Sequence, residues 1–296
     1  MENLMDIWFD YNIPKDSIVI EVSEDKVKGG LSDVLDKIVE LKNNGFHIAI
    51  DNYGAKYADL FLFSEVKFDT LKLDRELVHK LETDEKTCPA VLFLHDGPQQ
   101  AFGEVYHFGM QLLAQNGYVV LFANLPGSTG YGKDFSMLDG HWGDDDYNGL
   151  IRFLDAALDA CPEIDPSRLA VIGTGYGAYL AAVATGKCNR FGAAICDGVI
   201  SNCVSMVSTS DHGIAFAEKQ MKACAFKQTG ELWKRSPLSR IPSMKTPTLL
   251  LHGENDRRSH LSQGQMLFTA LKVHGVPARL CVFPGQHHGL AGRGTP

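Results

Sequence analysis

The sequence predicts an α/β protein, doubly wound over its larger part, on three observations. Short apolar, β-branched runs alternate with stretches of helical spacing along the chain. In the second part the strand-like runs are apolar throughout, as strands covered by helices on both faces must be. A glycine-flanked turn, Gly173 to Gly177, joins one such run directly to a helix-forming stretch.

Taken in order, Ile18 to Val22 reads as a strand, and Leu31 to Asn44 has helical apolar spacing at Leu31, Val34, Ile38 and Leu41 with Gly45 as its stop. Phe46 to Ile50 and Phe68 to Leu73 read as further strands, and Asp74 to Leu81 as a short helix. Consecutive βα units favour parallel strands. The charged stretch Leu81 to Thr87 reads as a junction. Beyond it, strands are expected at Ala90–Leu94, Tyr118–Ala123, Leu169–Ile172, Gly192–Cys196, Thr248–Leu251 and Arg279–Phe283. Helices are expected at about 104–116, 146–160, 177–186, 212–225 and 261–274. The expected domains are therefore 1–86 and 87–296.

At 45% hydrophobic and 22% charged residues the composition is that of a globular protein. No apolar run approaches the roughly 18 residues of a membrane span. The acidic start, Met1 to Asp10, lacks the basic region and apolar core of a secretory signal. All seven cysteines follow Lys86 and none forms a CxxC pair, so reduced thiols and a cytoplasmic location are expected. Residues 1–86 hold 11 Lys and Arg against 19 Asp and Glu, and the rest of the chain 17 of each, so the net charge of −8 lies in the first segment. Neither segment is basic, and neither a nucleic acid nor a membrane is an expected partner.

The second segment carries a series of short motifs. Val171-Ile-Gly-Thr-Gly-Tyr-Gly has the spacing of a G-x-S-x-G nucleophile elbow, with Gly173 and Gly177 flanking and Gly175 at its centre. Around it lie His95-Asp-Gly-Pro98, Asn124-Leu-Pro-Gly-Ser-Thr-Gly-Tyr-Gly132, Trp142-Gly143, Ile164-Asp-Pro-Ser-Arg168, Ser236-Pro-Leu238 and Lys245-Thr-Pro247. Leu251-His-Gly-Glu-Asn-Asp256 and Phe283-Pro-Gly-Gln-His-His288-Gly289 follow. In this order they resemble the HGGP, N-x-RGSxGYG, WG, IDPxR, SPL, KTP, HGxxD and PGxxHG marks of the prolyl oligopeptidase family.

That resemblance implies an α/β-hydrolase sheet and, by descent, serine hydrolysis of peptides or acyl-peptides with no cofactor. Carried over position by position, Asp256 is the triad acid and His288 the base. Tyr131 and the backbone N–H of Tyr176 are the oxyanion donors. The nucleophile position is Gly175, which has no hydroxyl. Pro126 stands for the arginine of RGS, Asp96 for the first glycine of HGGP, and Ser259-His260 for the usual VP. No β-propeller is recognisable. Thr174 and Ser128 are poor substitute nucleophiles, and His252, His260, His287 and His288 lack the spacing of a metal site.

Ile20-Glu21-Val-Ser-Glu24, Ile50-Asp51-Asn-Tyr-Gly54 and Leu71-Lys-Leu-Asp74 resemble the LExTE, DDFG and KxD strands of an EAL-type cyclic di-GMP phosphodiesterase. This implies a βα-repeat fragment of a TIM barrel, with Glu21 and Asp51 at metal-ligand positions and Lys72 at that of the catalytic water. The EAL motif itself is missing and Asn52 replaces an aspartate, so these are remnant positions and no bound metal is expected.

Serine chemistry is therefore expected to be impaired. One reading is slow hydrolysis by a water that His288 and Asp256 activate in the space left at Gly175. A second is a pseudohydrolase that binds a peptide or partner, and a third is cyclic di-GMP binding by the N-terminal segment.

Overall fold

The computed structural model describes residues 19–23, 31–53, 69–73, 87–103 and 105–290. The chain divides into two compact units, Met1–Glu85 and Lys86–Pro296.

In the first unit the β-branched runs form β1 (Val19–Ser23), β2 (His47–Tyr53) and β3 (Thr70–Leu73), in sheet order β1-β2-β3 with both pairings parallel. Helix α1 (Leu31–Asn43) supplies the crossover between β1 and β2. It buries Ile38 and Leu41 on its apolar stripe, and Phe46 and Ile48 are buried with them. Asp69 accepts the Ile48 N–H at 2.8 Å and pairs with Lys42 at 3.1 Å. Burial works to raise its carboxyl, but the Ile48 N–H, the Lys42 hydrogen bond and the charges of Lys42 and His47 together outweigh it and hold it below its ordinary value. Glu21 is exposed. The backbones of Asp51 and Lys72 lie in β2 and β3; their side chains fall outside the described residues, as do the expected helix at Asp74–Leu81 and most of the junction.

The second unit is one six-stranded parallel sheet. Its strands are β4 (Cys88–Leu94), β5 (Val119–Phe122), β6 (Ile164–Thr174), β7 (Ala193–Asp197), β8 (Thr248–Gly253) and β9 (Ala278–Phe283), in spatial order β5-β4-β6-β7-β8-β9. Helices α2 (Phe108–Gln115), α3 (Asp145–Ala160), α4 (Tyr176–Lys187), α5 (Cys203–Thr209), α6 (Thr229–Arg235) and α7 (Leu261–Val273) complete the layers. This is the doubly wound α/β-hydrolase arrangement. The winding reverses between β4 and β6, and such reversals open a crevice at the carboxyl ends of the strands.

Helix α4 is the core of the unit. Ten of its 12 residues are buried, and it is apolar all round, as a helix wrapped by sheet and helices must be. Its start explains two glycines. A Cβ at Gly173 would overlap the Gly177 backbone, and one at Gly177 would lie 2.6 Å from the His95 carbonyl oxygen. Strand and helix can pack this closely only because neither position carries a side chain.

The expected helix at 212–225 is a correction. A single turn at Gly213–Ala215 passes into a π-helical turn at Phe216–Gln220. Lys222 and Phe226 then take positive φ, which ends any regular helix. Among the described residues, no helix is long and apolar enough to cross a membrane, and Cys161, Cys188, Cys196, Cys203, Cys224 and Cys281 are free thiols.

Candidate active site

The carboxyl ends of the parallel strands bring the sequence-separated motifs together. Leu94 of β4 pairs with Gly173 of β6, Thr174 with Asp197 of β7, and Gly253 of β8 with Phe283 of β9. The loops leaving these ends carry Asp96, Gly175, Asp256 and His288, and all four meet.

Gly175 caps α4 with φ 55° and ψ −113°, the left-handed geometry that costs a side-chain-bearing residue about 1–3 kcal/mol. The space beside it is not vacant. A Cβ built on Gly175 would lie 2.6 Å from Asp96 Cγ and would overlap Asp96 Oδ1. The expectation of a water in that space is thereby corrected, because the Asp96 carboxylate fills it. Asp96 Oδ1 accepts the backbone N–H groups of Gly97 at 2.8 Å and Tyr176 at 2.9 Å. The Tyr176 N–H does point into the site, but a side chain of the protein already occupies it.

His288 lies between two carboxylates. Its Nδ1 donates to Asp256 Oδ2 at 2.7 Å, and its Nε2 faces Asp96 Oδ2 at 3.5 Å. Asp256 is buried, and its Oδ1 accepts the N–H groups of Arg258 at 2.8 Å and Ser259 at 2.9 Å. Burial opposes the charged imidazole, but hydrogen bonds and charge from Asp256 and Asp96 outweigh it and push His288 up to about 10. Burial likewise works to raise Asp96, yet His288 and the two N–H groups hold it below the ordinary carboxylate value. At neutral pH the site is an Asp96–His288–Asp256 chain of alternating charge, whose imidazolium has no free electron pair with which to take a proton. Burial, reinforced by the two neighbouring carboxylates, pushes Asp197 at the end of β7 up to about 6.

The Tyr131 hydroxyl accepts from Asn124 Nδ2 at 2.9 Å, its ring is exposed, and it lines neither pocket described below. Ser128 is buried, and its hydroxyl donates to His95 Nε2 at 2.8 Å while His95 Nδ1 donates to the Asp96 carbonyl at 2.6 Å. Burial lowers the pKa of His95, which keeps it neutral and suits this bonding. His252 is buried at the end of β8 with Nε2 2.6 Å from the Ser259 carbonyl oxygen.

A pocket of ≈160 Å³ opens on Asp96, Gly175 and His288. Trp142, Ile200, Met206 and Phe216 give it an apolar wall, with the Trp142 and Phe216 rings edge to face at 5.3 Å. A second, largely apolar cavity of ≈600 Å³ also reaches Asp96 and His288 and is lined by Phe93, Phe102 and Phe122.

Sequence reasoning missed the support beneath the first pocket. Tyr176 donates its hydroxyl to the buried Asp146 carboxylate at 2.6 Å, and burial pushes Asp146 up to about 6. The only sequence signal was an acidic residue in the first turn of α3, which also suits a solvated helix start. Tyr176→Phe is expected to lower the stability of this unit by about 1–3 kcal/mol in a denaturant titration, because it strips a buried acceptor of its partner. A change within error would show that Asp146 finds another donor.

The model of the prolyl oligopeptidase family matches residues 104–295. The chain belongs to the prolyl oligopeptidase family. Within that family it is 39% identical over 213 residues to YuxL of Bacillus subtilis, described as an uncharacterized peptidase, covering 72% of this chain and 32% of the relative. It is 32% identical over 233 residues to acylamino-acid-releasing enzyme 1 of Oryza sativa, covering 75% and 30%. Pyrococcus horikoshii acylaminoacyl peptidase superposes with a TM-score of 0.68 at 28% identity, covering 72% of this chain and 35% of that one. The chain thus spans about a third of the length of these relatives. Residues 1–91 match the model of the EAL domain.

Proposed function

We propose that the prolyl oligopeptidase-family unit of this chain binds peptides or acyl-peptides without cleaving them through a serine acyl-enzyme. The observation that carries this reading is the Asp96 carboxylate. It fills the space of the missing nucleophile side chain and takes the Tyr176 N–H that would bind a tetrahedral oxyanion. A peptide carbonyl entering this site finds neither an attacking hydroxyl nor that donor.

The case for retained binding is the apolar pocket beside Asp96. A related acylaminoacyl peptidase structure, with a TM-score of 0.69 at 28% identity, is in complex with Z-Gly-Gly-Phe-chloromethyl ketone, a peptide whose reactive end is phenylalanine. A cavity of about 150 Å³ holds a benzene ring, and the pocket here, at ≈160 Å³ between Trp142 and Phe216, suits the same side chain.

The test is calorimetry with Z-Gly-Gly-Phe-amide, together with a fluorophosphonate probe on the same sample. A saturable isotherm, intact peptide afterwards and no serine adduct are expected. Cleaved peptide, a labelled serine, or no heat of binding would each overturn the reading.

A further inference from the structure

Asp96 is held differently from a side chain that merely fills a gap. Its Oδ1 accepts two main-chain N–H groups, from Gly97 and Tyr176, and its Oδ2 is left facing His288 Nε2 and the small pocket. Two N–H groups converging on one oxygen are the arrangement that stabilises charge developing on that oxygen. Here the oxygen belongs to the protein, so the group preorganised for addition at its carbon is the Asp96 carboxyl itself.

We propose that Asp96 is a nucleophile toward saturated electrophilic carbon, and that the site hydrolyses small epoxides through an ester on Asp96. Attack by a carboxylate on a peptide carbonyl would give a mixed anhydride, less stable than the amide it came from. Attack on an sp³ carbon gives an ordinary ester, within reach of water.

The steps balance. A lone pair on Asp96 Oδ2 attacks one ring carbon of the epoxide, and the C–O bond to that carbon breaks with its pair moving to oxygen. That oxygen takes the Nε2 proton of His288. The products are an alkyl ester on Asp96 and a neutral imidazole still hydrogen-bonded to Asp256. His288 Nε2 then takes a proton from water, whose oxygen adds to Asp96 Cγ, and the negative charge on Oδ1 is met by the Gly97 and Tyr176 N–H groups. Collapse breaks the Cγ–Oδ2 bond and releases the diol, which takes its proton from His288. The new carboxyl group returns its own proton to His288, restoring the ion pair. The sum is epoxide plus water to vicinal diol, with no redox change.

The pocket limits the substrate to an epoxide bearing one small apolar or aryl group, seated against Trp142, Ile200, Met206 and Phe216. The proposal goes beyond the peptide-binding reading and does not depend on it.

Styrene oxide is the probe. With the full chain in excess in ¹⁸O-labelled water, one turnover is expected to place the label in the Asp96 carboxylate, read by mass spectrometry of the peptide containing it, and to leave it out of the diol. His288→Gln, which lacks both the acid of the first step and the base of the second, is expected to lower diol formation by about 10²–10⁴-fold. Asp96→Asn, similar in shape, is expected to form neither ester nor diol. Label in the diol alone, an adduct confined to a cysteine, or no turnover and no adduct would overturn the proposal. Fluorophosphonate labelling or peptide cleavage would instead count against the peptide-binding reading, so the two fail separately.

Discussion

Gly175→Ser is expected to leave the protein unreactive, whereas the pair Gly175→Ser with Asp96→Gly is expected to react with fluorophosphonate and hydrolyse activated esters. A serine Cβ on Gly175 meets Asp96 Cγ at 2.6 Å and overlaps Oδ1, so the single variant must expel a carboxylate that two N–H groups and an imidazolium hold. Removing the Asp96 side chain clears that space and frees the Tyr176 N–H. It also leaves His288 with Asp256 as its one direct carboxylate partner among the described contacts, so the imidazole more readily takes the serine proton. In subtilisin, the handiest measured yardstick, the serine is worth about a million-fold in turnover. A gain of at least about 10³-fold for the pair over either single variant is the expected outcome. Equal, negligible rates in all three proteins would mean that the site is dismantled beyond Asp96, for instance at Tyr131, whose hydroxyl is engaged with Asn124.

The second large effect is on stability. His288 rises from an ordinary value of 6.5 to about 10, so the folded state holds a proton that the unfolded chain releases across that interval. Its contribution is fully present below about pH 6.5 and is lost as pH rises toward 10. Scaled by the 1.36 kcal/mol of each pKa unit and reduced for shared partners, it is worth about 2–4 kcal/mol. The melting temperature of the hydrolase unit should fall by on the order of 10 °C between pH 6.5 and 10, and His288→Gln should flatten that fall. Asp146 and Asp197, raised from 3.8 to about 6, lower stability with rising pH in the same direction, but their window closes near pH 6. Asp96 is depressed, so its contribution is lost on the acid side, below 3.8. A melting curve flat from pH 6.5 to 10, or one unchanged by His288→Gln, would refute the alternating-charge chain.

The sheet was legible in the sequence because each strand is a short apolar run bounded by turn residues. The run expected at Thr248–Leu251 is the strand Thr248–Gly253, and that at Arg279–Phe283 is Ala278–Phe283. Strand β6 extends back to Ile164 through Asp-Pro-Ser, polar residues that carry no strand signal of their own and are drawn in by pairing with β4. Helix α5 was missed because seven residues give too short a periodic pattern, although Asn202 caps it by accepting from Val204 and Ser205. The strand-end positions of Asp256, His288 and Gly175 were readable from motif order. Asp96 and Gly175 were each readable as departures from the family pattern, but not as partners. The bond from Tyr176 to Asp96 joins residues 80 apart, and only the adjacency of β4 and β6 at the reversal of the winding brings them together.

The overlap of Asp96 with any side chain at Gly175 also constrains history. An aspartate could not enter the first loop while a serine stood at the elbow, unless one displaced the other, and a serine returning alone meets the aspartate. The two changes are therefore ordered: the serine leaves before the aspartate enters, and the aspartate must leave before a serine is accommodated again. Restoration of acyl transfer thus starts at the first loop and not at the elbow, because a serine arriving first meets the aspartate.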